Sequence, residues 1–405
     1  MARSRTESLI GFVKEDGPLR EVPPVRVGVA HVLWWLVVMI GCCVLIHGEL
    51  PPAPQSWTTA KLEDFEKHKD EYDLIFLGSS QLYRHVDPVL FDKAFAEAGH
   101  PIHSFNFGVP GMGALENRWI LQKVLAMKPA RLKTVVFDAP APGALLGGMN
   151  HITPRVKAWH DLVSTWLAVK LVWQTGMSTS WKLDMTERHL VSFGYRLCNV
   201  GSVRELLDIQ LKGTAVDRTE ARNYRVTDGP GGLGENGRGF VSMDRAVEAV
   251  PDSDPYQRKL LMDRYRKMQQ GLAGYAKRLR ENPNRPRPML EYTGKPREVQ
   301  ELLPAELEIL ASMVKLAEDA GIEPIFTNAP DIRQKEYFIT EAAKAGVIPT
   351  LIDLDDPAKH KNLLAPELRF DELHLRESGA ALYTEALAWE VASHLYPVQD
   401  GDSRR

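Results

Sequence analysis

Apolar positions along this chain fall into three patterns, and each predicts a different element. The first is an unbroken run from Val27 to Ile46, VGVAHVLWWLVVMIGCCVLI, which carries no formal charge. As a helix rising ~1.5 Å per residue it covers ~30 Å, the hydrocarbon thickness of a bilayer. The second is a set of short apolar stretches, Leu74 to Leu77, Ile102 to Phe107, Thr134 to Asp138, Ile325 to Thr327 and Thr350 to Leu354. The first of these, continuous and bounded by charge and Gly78, has the character of a strand buried on both faces. The third is helical spacing between the short runs. It covers Pro88 to Ala98, Leu115 to Met127, Pro304 to Ala320 with Leu307, Leu310, Val314 and Ala317 in step, and Glu377 to Leu395. Gly99 and Gly321 close two of these helices.

Strands alternating with helices argue for βαβ units, a parallel sheet and an α/β fold. The sheet is drawn from two separated parts of the chain. The expected layout is a cytoplasmic tail (1–26), a transmembrane helix (27–46), a linker (47–57), a first sheet segment (58–149), a mostly helical insertion on the sheet's loop face (150–300), a second sheet segment (301–396) and a tail (397–405). Within the insertion, Leu162 to Val172 and Arg258 to Arg280 have helical periodicity, whereas Thr227 to Gly239 and Pro283 to Pro288 are loops by composition. The former loop contains Gly-x-Gly-x-x-Gly at Gly232, Gly234 and Gly237. No apolar strand leads into it, so it lacks the strand-to-helix turn that a dinucleotide site requires.

Charge places the first run. Arg3, Arg5, Lys14, Arg20 and Arg26 precede it and Glu49 follows, so the positive-inside bias puts the N-terminus in the cytoplasm and the remainder in the periplasm or outside. The run exceeds the length of a signal peptide's apolar region and no small-x-small site follows it, which favours an uncleaved anchor. A net charge of -3 gives no footprint for nucleic acid. Of three cysteines, Cys42 and Cys43 lie inside the apolar run and leave Cys198 alone, which argues against a disulfide framework.

Three blocks carry chemistry. Phe76-Leu77-Gly78-Ser79-Ser80 is a buried strand entering a tight turn, which holds a serine hydroxyl at the carboxyl edge of a parallel sheet. Asn106-Phe107-Gly108-Val109-Pro110-Gly111 follows the second strand, with glycines that let backbone N–H groups approach a reacting acyl group. Asp371-Glu372-Leu373-His374 precedes the last helix, at a spacing that lets a carboxylate orient one imidazole nitrogen while the other faces a hydroxyl. Each alone reads more readily as a helix cap, a turn or a surface ion pair.

Together, and in this order, they resemble the SGNH (GDSL-like) hydrolase superfamily over residues 73–142 and 304–396. The resemblance implies a flavodoxin-like three-layer domain and a triad of Ser80, His374 and Asp371. It also implies an oxyanion site from the N–H groups of Ser80 and Gly111, and no metal or cofactor. Two departures stand out: Ser79 replaces the family's aspartate before the nucleophile, and Asp138-Ala139-Pro140-Ala141-Pro142 replaces the block that normally supplies an oxyanion asparagine. Asn117 and Asn328 are the candidates to replace that donor. With its anchor, the chain looks similar to the membrane-tethered acyl-transfer branch of the superfamily, which includes polysaccharide O-acetylation and teichoic-acid D-alanylation proteins. The implied activity is O-acyl transfer, acetyl first, on an extracytoplasmic polysaccharide, beside a membrane-bound O-acyltransferase. A carbohydrate esterase and a non-catalytic glycan-binding scaffold remain open. Arg155, Trp159 and His160, with Asn117, are the expected acceptor contacts, cations meeting acidic sugars and an indole stacking on a pyranose.

Overall fold

The computed structural model describes residues 28–47, 56–138, 146–147, 150–200, 232–248, parts of 256–271, 303–330, 337–356, 359–371 and 373–397. It divides into two units, Met1–Gly48 and Glu49–Arg405.

The first unit holds α1, Val29–His47. Its apolar side chains, Leu33, Trp34, Trp35, Val37 and Leu45 among them, are exposed around the helix. Among the described residues no helix is long and apolar enough to cross a membrane. The 19 residues of α1 rise ~28 Å, slightly short of a ~30 Å hydrocarbon core, and Val27, where the apolar run begins, lies outside the described residues.

The second unit is built on a five-stranded, wholly parallel sheet ordered β2-β1-β3-β4-β5. The strands are β1 (Leu74–Leu77), β2 (Ser104–Asn106), β3 (Thr134–Asp138), β4 (Glu323–Asn328) and β5 (Leu351–Asp353). Side chains alternate across them. Ile75, Leu77, Val135, Phe137 and Phe326 enter one core, and Leu74, Phe76, Val136 and Ile325 enter the other. On the first face lie α2 (Ser56–His68), α5 (Ala114–Ala126) and α10 (Pro304–Asp319), contributing Phe65, Ile120 and Met313; on the second lie α4 (Pro88–Glu97) and α12 (Glu377–Leu395), contributing Phe91 and Leu387. This is a three-layer α/β domain of the doubly wound, flavodoxin-like strand order, whose reversal beside β1 opens a crevice at the strands' carboxyl ends.

The insertion differs from expectation. Its helices α6 (Pro154–Trp159), α7 (Leu162–Gln174) and α8 (Thr179–Leu197) send Trp159, Leu167, Leu171, Val172 and Met185 into the first core. Helix α7 packs on α10, so this part thickens a helical layer rather than capping the loop face. Between Tyr256 and Gly271 the described residues are helical, in line with the expected periodicity; Pro283 to Pro288 and Thr227 to Gly231 lie outside the described residues. Two further helices are α9 (Met243–Glu248) and α11 (Tyr337–Lys344).

The glycine-rich loop packs on the sheet edge. Strand β2 is outermost, and its Asn106 N–H donates to the Arg238 carbonyl at 3.0 Å. A Cβ on Gly239, where φ is +89°, would lie 2.0 Å from the Asn106 carbonyl oxygen. Only glycine permits that approach. The buried Lys61 ammonium locks the contact by donating to the carbonyls of Asn106 (2.9 Å), Gly108 (2.8 Å) and Gly239 (2.9 Å).

Candidate active site

Strand β1 ends at Leu77, and the chain turns through Gly78 into α3 (Ser80–His85). The turn is tight because a Cβ on Gly78 would sit 2.4 Å from the Asp138 carboxyl carbon. Ser79 caps α3, its Oγ accepting from the Gln81 N–H. Ser80 is therefore the first helical residue, at the carboxyl end of an inner strand beside the crevice, and is half-buried.

The last block reaches the same place from the other end of the sheet. An antiparallel bridge between Arg369 and Leu375 folds the segment back on itself. The Asp371 Oδ1 accepts from the N–H groups of Leu373 and His374, both at 2.8 Å. The Asp371 carboxylate also lies 2.9 Å, through either oxygen, from His374 Nδ1. A carboxylate can only accept, so Nδ1 carries the proton and Nε2 is left as acceptor. Ser80 Oγ–H donates to that Nε2 at 2.8 Å. The result is a continuous chain of hydrogen bonds from carboxylate through imidazole to hydroxyl, among groups that are mostly buried. Burial raises the Asp371 carboxyl, but the adjacent imidazole and the N–H donors outweigh it and hold the group far below the ordinary carboxylate range.

The Asn106 to Gly111 block forms a second wall. Val109 N–H donates to the Gly78 carbonyl at 2.9 Å, joining it to the nucleophile turn, and the Asn106 side-chain amide donates to the carbonyls of Leu82 and Val86, both at 2.8 Å, bracing α3. Met112 N–H donates to the Val109 carbonyl, and Gly111 has φ +71°, so Val109–Met112 is a type II turn with Pro110 and Gly111 in its centre. Among the described residues no hydrogen bond takes up the N–H of Ser80 or of Gly111. Both are donors free to meet an anion.

Two further groups belong to the site and were not singled out from the sequence. The Asp138 carboxylate, at the end of β3, accepts from both Ser79 N–H (2.6 Å) and Ser79 Oγ–H (2.7 Å) through Oδ2, while its Oδ1 has no hydrogen bond among the described residues. A carboxylate thus stands beside the Ser79–Ser80 turn although neither residue there is acidic. Complete burial pushes Asp138 up to about 6, against the pull of Ser79 and a weaker one from the Leu82 N–H, which does not reach hydrogen-bonding geometry. The fully buried His85 accepts from the Leu375 N–H at 3.0 Å and packs edge-on to the His374 ring. Burial, with the neighbouring His374 and Arg369, keeps its value well below the usual histidine range. It acts as a neutral acceptor that fixes the backbone just after His374.

The expected acceptor contacts do not meet in one surface. Trp159 is 5% exposed and stacks on His160 with ring centroids 3.8 Å apart. His160 is fully buried, 2.9 Å from His189 Nδ1 and 2.7 Å from the Val156 carbonyl, and burial pushes it down to about 3. Neither side chain faces a sugar, because α6 and α8 pack together over them. Asn117 is fully buried on α5, and neither its oxygen nor its nitrogen has a partner among the described residues. Asn328, at the end of β4, donates to Asp353 at 3.2 Å. Arg155 is paired with Glu116 and Pro110. Among the described residues no group of His, Cys, Asp and Glu is placed to hold a metal ion.

No protein-family model and no curated protein matches this chain.

Proposed function

We propose that this protein is a membrane-anchored, extracytoplasmic SGNH-type acyltransferase that moves an O-acyl group, acetyl first, on an exported or cell-surface polysaccharide. The observation that carries the reading is the unbroken hydrogen-bond chain Asp371–His374–Ser80 at the carboxyl edge of the sheet. His374 takes the Ser80 proton as Oγ attacks the ester carbonyl, Asp371 steadies the imidazolium, and the N–H groups of Ser80 and Gly111 meet the developing oxyanion. His374 returns the proton to the departing alcohol. A second hydroxyl, from the glycan, then attacks the acyl-serine by the same steps in reverse.

Anchoring is part of the proposal. A helix whose apolar side chains are exposed on every side, as in α1, needs apolar surroundings, and the basic residues before it set the N-terminus in the cytoplasm. A membrane-bound O-acyltransferase that delivers the acyl group would be the natural partner for a triad held at the membrane face.

A fluorophosphonate probe on the full-length protein tests the reading. Labelling of the wild type and none of Ser80→Ala or His374→Ala is the expected result, and a wild type that does not label points to a glycan-binding scaffold instead. Steady hydrolysis of p-nitrophenyl acetate with no acylation of any glycan acceptor would make the protein an esterase.

A further inference from the structure

We propose that Arg155, expected from the sequence to contact acidic sugars, is instead a positioning residue that aims the Gly111 N–H at the oxyanion; this rests on the acyl-transfer reading. Its guanidinium makes three hydrogen bonds: Nε to Glu116 Oε1 at 2.6 Å, Nη2 to Glu116 Oε2 at 2.8 Å, and Nη1 to the Pro110 carbonyl at 2.9 Å. Glu116 sits in the first turn of the 13-residue α5 with its side chain 7% exposed, so the carboxylate is a fixed point. A planar guanidinium gripped by two teeth has one orientation left, and that orientation points the third donor at Pro110.

The carbonyl of Pro110 and the N–H of Gly111 belong to one peptide unit. That unit is planar and trans, so the two groups point in opposite directions. Fixing the oxygen fixes the N–H. The restraint matters because this peptide is the central one of the Val109–Met112 turn. Rotating it converts a type II turn into type I and reverses both groups. Arg155 selects the type II arrangement. Its positive charge on the carbonyl also polarises the peptide and strengthens the N–H as a donor. The insertion thereby contributes to the site through the oxyanion turn, without touching the reacting atoms.

The test uses the full-length protein, comparing wild type, Arg155→Ala and Arg155→Lys in p-nitrophenyl acetate turnover and in the rate of fluorophosphonate labelling. Removing an oxyanion donor outright lowers kcat ~10²–10³-fold. Releasing its aim should cost part of that, ~10- to 100-fold in kcat with KM changed less than ~2-fold. Free guanidinium should restore part of the loss in Arg155→Ala, and lysine, which cannot form the fork, should restore little. A merely structural role would lower thermal stability without splitting kcat from KM and without rescue. A sugar contact would raise KM for a glycan acceptor and leave p-nitrophenyl acetate turnover alone; either outcome overturns the inference. If Arg155→Ala does not fold, Glu116→Gln, which loosens the same fork, should show a smaller fall in kcat, and an unchanged kcat there overturns it as well. A wild type that labels at Ser80 while Arg155→Ala labels equally fast sinks this inference alone. A wild type that never labels sinks the acyl-transfer reading beneath it.

Discussion

Replacing Asp138 with asparagine isolates one buried charge beside the Ser79–Ser80 turn. In the folded chain burial raises this carboxyl from 3.8 to about 6. The folded value lies above the unfolded one, so the folded state holds the proton more tightly. Below the unfolded value both states are protonated and nothing is lost. As pH rises through the window the unfolded chain ionises first, and once pH passes the folded value the whole gap stands against folding. At ~1.36 kcal/mol per pH decade that gap is about 3 kcal/mol. Asparagine keeps an acceptor for the Ser79 N–H and Oγ–H, and its amide nitrogen takes the place of Oδ1, which has no hydrogen bond among the described residues. It does not titrate. Urea denaturation of both proteins, full-length in detergent and followed by tryptophan fluorescence, should therefore show Asp138→Asn gaining on the wild type as pH rises from about 4 to about 7, approaching about 3 kcal/mol. A stability difference that stays flat across the window would refute the reasoning, because Asp138 would then not be protonated in the folded chain while ionised in the unfolded one.

Four other substitutions probe different parts of the argument. Asp371→Asn should leave the fold intact yet lower kcat for p-nitrophenyl acetate by ~10³–10⁴-fold, since an amide no longer enforces the Nδ1–H tautomer; turnover within tenfold of wild type would count against the triad. Lys61→Met removes the donor from three buried carbonyls and should cost ~3 kcal/mol or more in urea denaturation, with an unchanged midpoint as the contrary result. Gly239→Ala should destabilise by ~2 kcal/mol or more, whereas Gly237→Ala should cost only the ~1 kcal/mol of its left-handed backbone. The contrast arises because a Cβ at Gly239 collides with Asn106 while one at Gly237 meets nothing within 4 Å. Equal midpoints for the two variants would mean that the loop does not press on the sheet edge.

Much of this was legible in the sequence where local pattern dominates. Leu74–Leu77, Thr134–Asp138 and Glu377–Leu395 match their expected bounds, and the triad residues meet as their order implied. What escaped is what strand pairing and helix packing create. Ser79 and Asp138 are 59 residues apart, and they touch because β1 pairs with β3, Leu77 opposite Phe137. The signal was present in two polar residues at the carboxyl ends of the first and third strands, and only the strand order turns it into a contact. Helix α8 was not expected as a core element because its buried positions, Met185, His189 and Ser192, include two polar residues. For the same reason Trp159 and His160 looked like a surface for sugars. Arg155 was read as a free cation because nothing in its neighbourhood along the chain announces Glu116, 39 residues earlier, as its partner.

The hydrogen bond between Ser80 and His374 joins residues 294 apart, and this separation has a meaning in time. A ribosome adding ~5–20 residues per second delivers His374 ~15–60 s after Ser80. Asp138, only 59 residues beyond Ser79, arrives within ~3–12 s at the same pace. The residues of the Ser80 turn and Asp138 are thus all synthesised early, whereas His374, the proposed base, comes late. On the proposed chemistry, a chain cut short before Asp371 carries Ser80 without its base, so labelling of Ser80 would report that synthesis has passed His374.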